Sequence, residues 1–228
     1  MLTIKSPGLR KVLRICIPLI LIPAAAIVGS VVFKGKHHLL VSLFVAVLSV
    51  VLFLAGFEKR QTGARRMVII AVMIALSVAG RFIPFFKPVV AVTIIAGIYL
   101  GGEAGFMVGA FSALLSNFYF GQGPWTPFQM LAWGLIGFLA GVAARPLKKS
   151  KVLLTVYGVL SGVAFSLIMD VWTVLWYNNT FELTLYLSAV ATALPHMIMY
   201  ALSNFIFLWL LSKPFGEKLD RIKLKYGI

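Results

Sequence analysis

The chain has 228 residues, of which 61% are hydrophobic and 12% charged, and its mean hydropathy is +1.00. A soluble domain could not bury so much apolar surface, so the composition predicts a membrane protein. The net charge of +15 does not indicate nucleic acid binding, because Lys and Arg occur in short gaps between apolar segments, where they set orientation. One cysteine, Cys16, excludes an internal disulfide and a Cys-based metal cluster.

Eight apolar segments follow one another and predict an all-α integral membrane protein with eight spans. They cover residues 15–33, 39–57, 67–82, 89–100, 104–118, 128–144, 152–176 and 183–211. A cleaved signal peptide is an alternative for the first segment, because Ala24–Ala26 offers a cleavage site, although the run is long for one. The segment 89–100 would cover only about 18 Å of a hydrocarbon layer of about 30 Å. It must be extended at its ends, or be recessed and leave a cavity beside it.

The distribution of positive charge predicts the orientation. Seventeen of the 21 Lys and Arg residues fall in the connectors of one side, including Glu58–Arg66. The positive-inside rule therefore places both termini in the cytoplasm and the connector after the fifth segment outside.

That outer connector, Asn117–Trp133, is rich in polar and aromatic residues and reads NFYFGQGPWTPFQMLAW. Its Gly and Pro residues interrupt helical pairing, and irregular backbone near a membrane is tolerated where protein or a water-filled cavity covers it. We expect it to cap a small-molecule pocket. The candidate ligand contacts are Asn117, Tyr119, Gln122, Trp125, Thr126, Gln129 and Trp133.

The last two segments carry polar faces that we expect to look inward, since unpaired polar groups are costly in hydrocarbon. The residues are Ser166, Asp170, Thr173 and Tyr177 in one, and Ser188, Thr192, His196, Tyr200 and Asn204 in the other. Asp170 is a functional candidate, because a carboxylate within a span is rarely without a role, but an interhelical pair with His196 is an alternative. Trp172 and Trp176 fit either ligand contact or an interfacial aromatic belt.

Small residues recur at four-residue spacing and give flat helix faces. The set comprises Ala71, Ala75 and Ala79, and the pairs Gly97 with Gly101, Gly105 with Gly109, and Gly137 with Gly141. For the glycine pairs we expect packing within the chain.

Several motifs are absent from the sequence. It has no phosphate-binding loop, no intramembrane serine protease motif and no H-E-x-x-H, so we expect neither ATP hydrolysis nor other catalysis by this chain. His37 and His38 have no further metal ligands nearby, and no metal or cofactor is expected.

The segment Ala71–Gly141 resembles the substrate-binding S component of energy-coupling factor (ECF) vitamin transporters. The similarity lies in AVMIALSVAGRF, IIAGIYLGGEAGFMVGAFSALLSNF and GQGPWTPFQMLAWGLIGFLAG. It implies a six-helix substrate-binding core in residues 67–228, preceded by two additional helices in residues 1–66. It also implies a vitamin-type ligand captured outside a bacterial-type cell membrane, and docking on a transmembrane coupling protein with two ATPase subunits. The matching docking surface would be Ala71, Ala75 and Ala79.

The substrate and one competing function stay open at this point. The GQGPWTPFQM stretch is most similar to S components assigned to cobalamin, while a flavin, a thiamin precursor, pantothenate or a queuosine-like compound is not excluded. The alternative function is a proton-coupled secondary transporter that uses Asp170 and His196 as a relay. A third reading, an intramembrane enzyme, lacks a nucleophile–base pair.

Overall fold

A computed structural model describes residues 7–33, 37–55, 63–178 and 180–226, and these ranges are almost entirely helical. The α-helices are α1 Pro7–Cys16, α2 Ile22–Phe33, α3 His38–Ala55, α4 Gly63–Gly80, α5 Val89–Leu100, α6 Gly102–Phe120, α7 Thr126–Val142, α8 Ala144–Lys149, α9 Lys151–Asn178 and α10 Leu183–Tyr226. A π-helical turn, Ile17–Leu21, joins α1 to α2. Pro18 lies in that turn, where its missing N–H interrupts regular helical pairing.

The all-α prediction is confirmed for the described part of the chain, and each predicted segment coincides with helical structure. Three stretches are long and apolar enough to cross a membrane: Val12–Gly29, Lys151–Asn178 and Leu183–Tyr226. Leu39–Phe53, Val89–Leu100 and Thr126–Val142 are shorter apolar helices. The total of eight spans stays a prediction. Residues 56–62, which include most of the predicted basic connector, lie outside the described ranges.

Helix α5 occupies the centre of the bundle. Eleven of its twelve residues are buried, and it packs against α4, α6, α7, α8, α9 and α10. Its sequence, VVAVTIIAGIYL, has no polar face, as expected of a helix with neighbours on every side. The outside of the bundle carries many exposed large apolar residues, such as Val68, Val152 and Leu210, which suits contact with lipid.

Glycine contacts bring α5, α6 and α7 close together. A Cβ atom added at Gly97 or Gly105 would collide with the backbone of Gly137, and one at Gly141 would collide with the backbone of Gly102. The expected packing of the glycine pairs within the chain is thereby confirmed. Small residues at these points allow the three backbones to approach without intervening side chains.

The two N-terminal helical segments pack on the core. Helix α3 contacts α6 and α7, and α2 contacts α7 and α9. One end of the bundle, called the basic end below, carries most of the Lys and Arg residues. Near it, the Arg14 guanidinium donates to the carboxylate of Glu103, which is only 3% exposed. Glu103 lies in the first turn of α6, where the helix dipole also favours a negative charge.

The last helix extends beyond the predicted segment 183–211, because it continues through Pro214 to Tyr226. This extension passes under the end of α5. Lys223 Nζ donates to the Tyr99 carbonyl at 2.9 Å, and Arg65 Nη1 donates to the Tyr226 carbonyl at 3.1 Å. Cations at the C-terminal end of a helix bond to carbonyl groups that no further helical turn can reach.

Candidate functional site

The end of the bundle opposite Lys223 carries a polar network that is centred on Asn117. The Asn117 side chain is fully buried, and its Oδ1 accepts a hydrogen bond from Arg81 Nη1 at 2.6 Å. Arg81 Nη1 also donates to the Ser116 hydroxyl. The Asn117 Nδ2 group donates to Thr126 Oγ1 at 3.0 Å and to Gln129 Oε1 at 2.8 Å. The end of α4 and the last turns of α6 are therefore tied to the start of α7.

The sequence interpretation of Asn117–Trp133 as one connector is wrong, because helices α6 and α7 occupy most of it. Only residues 121–125 lie between them. Gly121 has a φ of 103°, a conformation that favours glycine, and it ends α6. Gln122 then bridges the turn: its Nε2 donates to the Leu114 carbonyl at 2.8 Å, and its Oε1 accepts from Thr126 at 3.0 Å.

An aromatic cluster adjoins this network. The rings of Trp133 and Phe165 are stacked with centroids 5.5 Å apart, and Tyr200 meets Phe165 edge-on at 5.0 Å. The Arg81 guanidinium carbon lies 5.3 Å from the Trp133 ring centroid and 4.8 Å from that of Phe120. Arg81, in the connector after α4, thus lies against aromatic rings of α6 and α7 and donates to polar acceptors of α6.

A second aromatic group joins the start of α7 to α9. Trp125 contacts Trp172 edge-on at 5.9 Å, and Trp172 stacks on Trp176 at 6.2 Å. Asp170 lies one turn from Ser166 on the same helix and is 7% exposed. Three buried polar atoms of α7 and α9 have no hydrogen-bond partner among the described residues: Asp170 Oδ2, Trp133 Nε1 and Trp172 Nε1. Buried polar groups of this kind need a partner, and a bound ligand can supply one.

The polar residues of α10 were expected to face the inside of the bundle, and only some of them do. Asn204 is buried, and its Nδ2 donates to the Gly158 carbonyl at 2.9 Å, while Tyr200 is half-buried. Ser188, Thr192 and His196 are exposed, contrary to the expectation. The hydroxyl groups of Ser188 and Thr192 donate to carbonyls of the preceding turn, which removes much of the cost of exposure.

The exposure of this part of α10 has a geometric cause. Ser203 donates to the Lys87 carbonyl at 2.8 Å, just before α5 begins, so residues 183–202 run beyond α5. Twenty residues correspond to about 30 Å of helix. His196 precedes Tyr200 by one turn on the same side of that stretch.

The remaining predicted residues lie at the surface. Tyr119 is 73% exposed and packs against Phe82, with ring centroids 4.7 Å apart, so it belongs to an exposed aromatic patch. Ala71, Ala75 and Ala79 are all exposed on one side of α4, between Val68, Val72 and Leu76, which are exposed as well.

Four cavities along the described part of the chain lie at the basic end, where residues such as Arg14, Arg65, Arg66 and Lys148 line them. Two of them border Ile98 and Tyr99 of α5, so the short helix is recessed rather than extended. At the other end, the side chains predicted to cap a pocket are bonded to one another. The described residues contain no group of three or more His, Cys, Asp or Glu that would hold a metal ion.

Three contributors to this end were missed by the sequence interpretation: Arg81, Phe165 and Lys87. Arg81 and Lys87 counted only as charges of the outer side, although an arginine directly after a helix and before a Pro-rich turn was a usable signal. Burial lowers the pKa of Lys87, and the positive charge of Arg81 lowers it further. Two neighbouring cations favour a ligand that presents carbonyl or anionic oxygens.

Residues 61–219 match the family described as "ECF-type riboflavin transporter, S component". No curated protein and no solved structure shows significant similarity to the chain.

Proposed function

Because the chain belongs to the family of S components of ECF-type riboflavin transporters, we propose that it binds riboflavin between the Arg81–Asn117 network and α9. It would capture the vitamin outside and release it inward when docked on a coupling protein driven by two ATPase subunits. In this proposal, residues 67–228 form the binding core and both termini are cytoplasmic.

The observation that carries the proposal is the set of buried atoms on α7 and α9 that have no partner among the described residues. Asp170 Oδ2 can accept a hydrogen bond, and the indole groups of Trp133 and Trp172 can each donate one. Together with the aromatic rings, these donors and this acceptor could satisfy a ligand that has a flat ring, acceptor atoms at its edge and hydroxyl groups. Riboflavin has all three, as a tricyclic ring with carbonyl groups and a polyhydroxyl chain.

Each chemical feature of the ligand has a proposed partner. Among the described residues, the hydrogen bonds of Arg81 come from Nη1, so its Nε and Nη2 donors are the ones proposed for a ring carbonyl. The Trp133–Phe165 stack supplies the aromatic face, and Asp170 accepts from a ligand hydroxyl or N–H group. Asn117 is a positioning residue, because its side chain is fully used in holding Arg81 and Gln129.

Cobalamin, the first expectation from the GQGPWTPFQM stretch, is not confirmed, and the matched family favours riboflavin. The two ligands can be separated with one purified preparation. Riboflavin fluorescence should be quenched on titration with the chain, because the ring stacks on tryptophan, and excess cobalamin should not restore it. Saturable cobalamin binding without riboflavin binding would overturn the substrate assignment.

A transport assay tests whether the chain acts as the substrate-binding subunit of an ATP-driven transporter. Liposomes that contain the chain with its coupling protein and ATPases should take up riboflavin only with ATP, whereas the chain alone should not. ATP-independent uptake by the chain alone would contradict the role.

The proton-relay alternative receives no support from the geometry. The structure records no ion pair between Asp170 and His196 among the described residues, and His196 is exposed. Uptake driven by a proton gradient and abolished in Asp170→Asn would favour it. Insensitivity of uptake to collapse of the gradient would exclude it.

A further inference from the structure

A cavity at the basic end lies where α5, α8, α9 and α10 meet, far along the bundle from the proposed vitamin site. Its volume is about 190 Å³. Sites that enclose a drug-sized ligand have about 300–1,000 Å³, so this cavity suits a headgroup rather than a whole vitamin. It lies beside the last turns of α5, where α8 ends at Lys149, α9 begins at Lys151 and α10 continues to Tyr226.

Three lysines line the cavity: Lys148, Lys151 and Lys213. Lys148 Nζ is 4.2 Å from the Tyr99 ring centroid and 3.7 Å from Asp220 Oδ1, and Lys151 Nζ is 3.8 Å from the Trp209 ring centroid. Ser212, which also lines the cavity, provides a hydroxyl group. Even with Asp220 beside it, the cluster has a positive balance and several donors for phosphate oxygens.

The other walls of the cavity are apolar. Ile95, Ile98, Leu147 and Leu154 line it. Directly outside, the surface of α9 and α10 exposes Val152, Trp209 and Leu210, which are 68%, 47% and 61% exposed. A molecule with its phosphate at the lysines would therefore have an apolar surface beside it for hydrocarbon chains. A free phosphate ion would leave that surface unused.

We propose that this cavity binds the headgroup of an anionic glycerophospholipid, with its acyl chains along the exposed apolar side of α9 and α10. Basic pockets between membrane helices on the cytoplasmic side recognise such headgroups, and the positive-inside rule assigns this end to the cytoplasm. The proposal does not depend on the identity of the transported vitamin.

The test uses the full-length chain in zwitterionic detergent and phosphatidylglycerol as the probe. Phosphatidylglycerol should raise the thermal unfolding midpoint at lower concentrations than phosphatidylcholine does, and native mass spectrometry should show it retained preferentially. Glycerophosphoglycerol, the headgroup without chains, should have no effect at the same concentrations. Equal stabilisation by glycerophosphoglycerol would mean a site for free phosphate esters and would overturn the lipid proposal.

A charge-matched pair of variants assigns the effect to the cavity. Changing Lys148, Lys151 and Lys213 to Gln should raise the phosphatidylglycerol concentration needed for half-maximal stabilisation at least fivefold. The control changes Lys149, Lys218 and Arg221 to Gln, three exposed residues outside the cavity lining, and should shift it less than twofold. Equal behaviour of the two triple variants would overturn the proposal.

A single variant covers the case in which the triple variant does not fold, since Lys148 and Lys151 also contact aromatic rings. Lys213 is exposed, so Lys213→Gln should leave the fold intact and shift the half-maximal concentration at least twofold. An unchanged titration of Lys213→Gln would then count against the site.

Discussion

Arg81 connects parts of the chain that are distant in sequence, because it bonds to Ser116 and Asn117 and lies over the rings of Phe120 and Trp133. Its removal would leave the buried Asn117 Oδ1 without its donor. An unsatisfied buried acceptor costs about 1–3 kcal/mol. Arg81 therefore both holds the network together and offers donors to a ligand.

We predict that Arg81→Gln weakens riboflavin binding at least about tenfold, which corresponds to about 1.4 kcal/mol of binding free energy. Quenching of flavin fluorescence measures the dissociation constant, and a thermal melt checks that the variant is folded. Arg145→Gln removes an exposed arginine at the basic end and should bind as the wild type does. A folded Arg81→Gln variant with unchanged affinity would remove Arg81 from the site.

For single residues, the sequence indicated which ones contribute to the site better than it indicated whether they are buried. Asn117, Thr126, Gln129 and Trp133 were identified as polar and aromatic residues of a predicted outer connector, and all four are buried. His196 was expected to face inward because a polar residue inside an apolar segment needs a partner, and it is exposed. Periodicity gives the face of a helix but not whether a neighbour covers that face, and residues 183–202 run beyond α5.

Among the elements, the closest packing is the contact of α5, α6 and α7 through glycine backbones. A Cβ atom at Gly137 would meet backbone atoms of Gly105 and the methyl group of Thr93. A side chain could relieve such a collision by changing its rotamer, but backbone atoms cannot. The helices would therefore have to separate. Overpacking of this kind typically costs about 1–3 kcal/mol.

We therefore expect Gly137→Ala to lower the thermal unfolding midpoint, although alanine is the better helix former. Gly8→Ala, in α1, is the matched control, since nothing lies within 4 Å of an added Cβ atom there. That change should leave the midpoint unchanged or raise it. A neutral Gly137→Ala would show that α6 and α7 can separate without loss of stability.

The Arg14–Glu103 pair gives a prediction for the attachment of the N-terminal helices. Arg14→Gln removes the hydrogen-bonded ion-pair partner of the buried Glu103 carboxylate and leaves it with the electrostatic attraction of Arg66, so it should lower the midpoint more than Glu103→Gln does. The double variant should be more stable than Arg14→Gln alone. Thermal melts of the two single variants and the double variant measure this coupling, and additive losses would contradict it.

The sequence predicted where helices occur better than it predicted how long they are and at which residues they end. The apolar runs located helical structure at each predicted segment, and the 12 residues of α5 were placed correctly. The extension of α10 to Tyr226 was missed, because Pro214 and the charged residues resembled a polar tail. Its packing under Tyr99, where Gly216 lies close, is a tertiary contact that no local pattern shows.

For the whole molecule, the architecture separates a candidate partner surface from the candidate ligand site. Ala75 is exposed on α4, and the N-terminal helices pack on α6, α7 and α9 instead of covering this side. We predict that Ala75→Leu prevents assembly with the coupling protein while riboflavin binding persists, because added bulk keeps a partner helix from approaching. Co-purification measures assembly. Ala24→Leu, at an exposed alanine of α2, is the control and should assemble normally.

Trp125→Ala should show the reverse behaviour. The substitution removes the edge-on contact of Trp125 with Trp172, which holds the start of α7 against α9. Aromatic pairs contribute about 0.5–1.5 kcal/mol beyond their buried area, so riboflavin affinity should fall several-fold while the complex still assembles. Flavin titration and co-purification of both variants complete the comparison. If Ala75→Leu and Trp125→Ala lose the same property, ligand binding and docking share one surface, and the bundle does not divide its two tasks between α4 and the contact of α7 with α9.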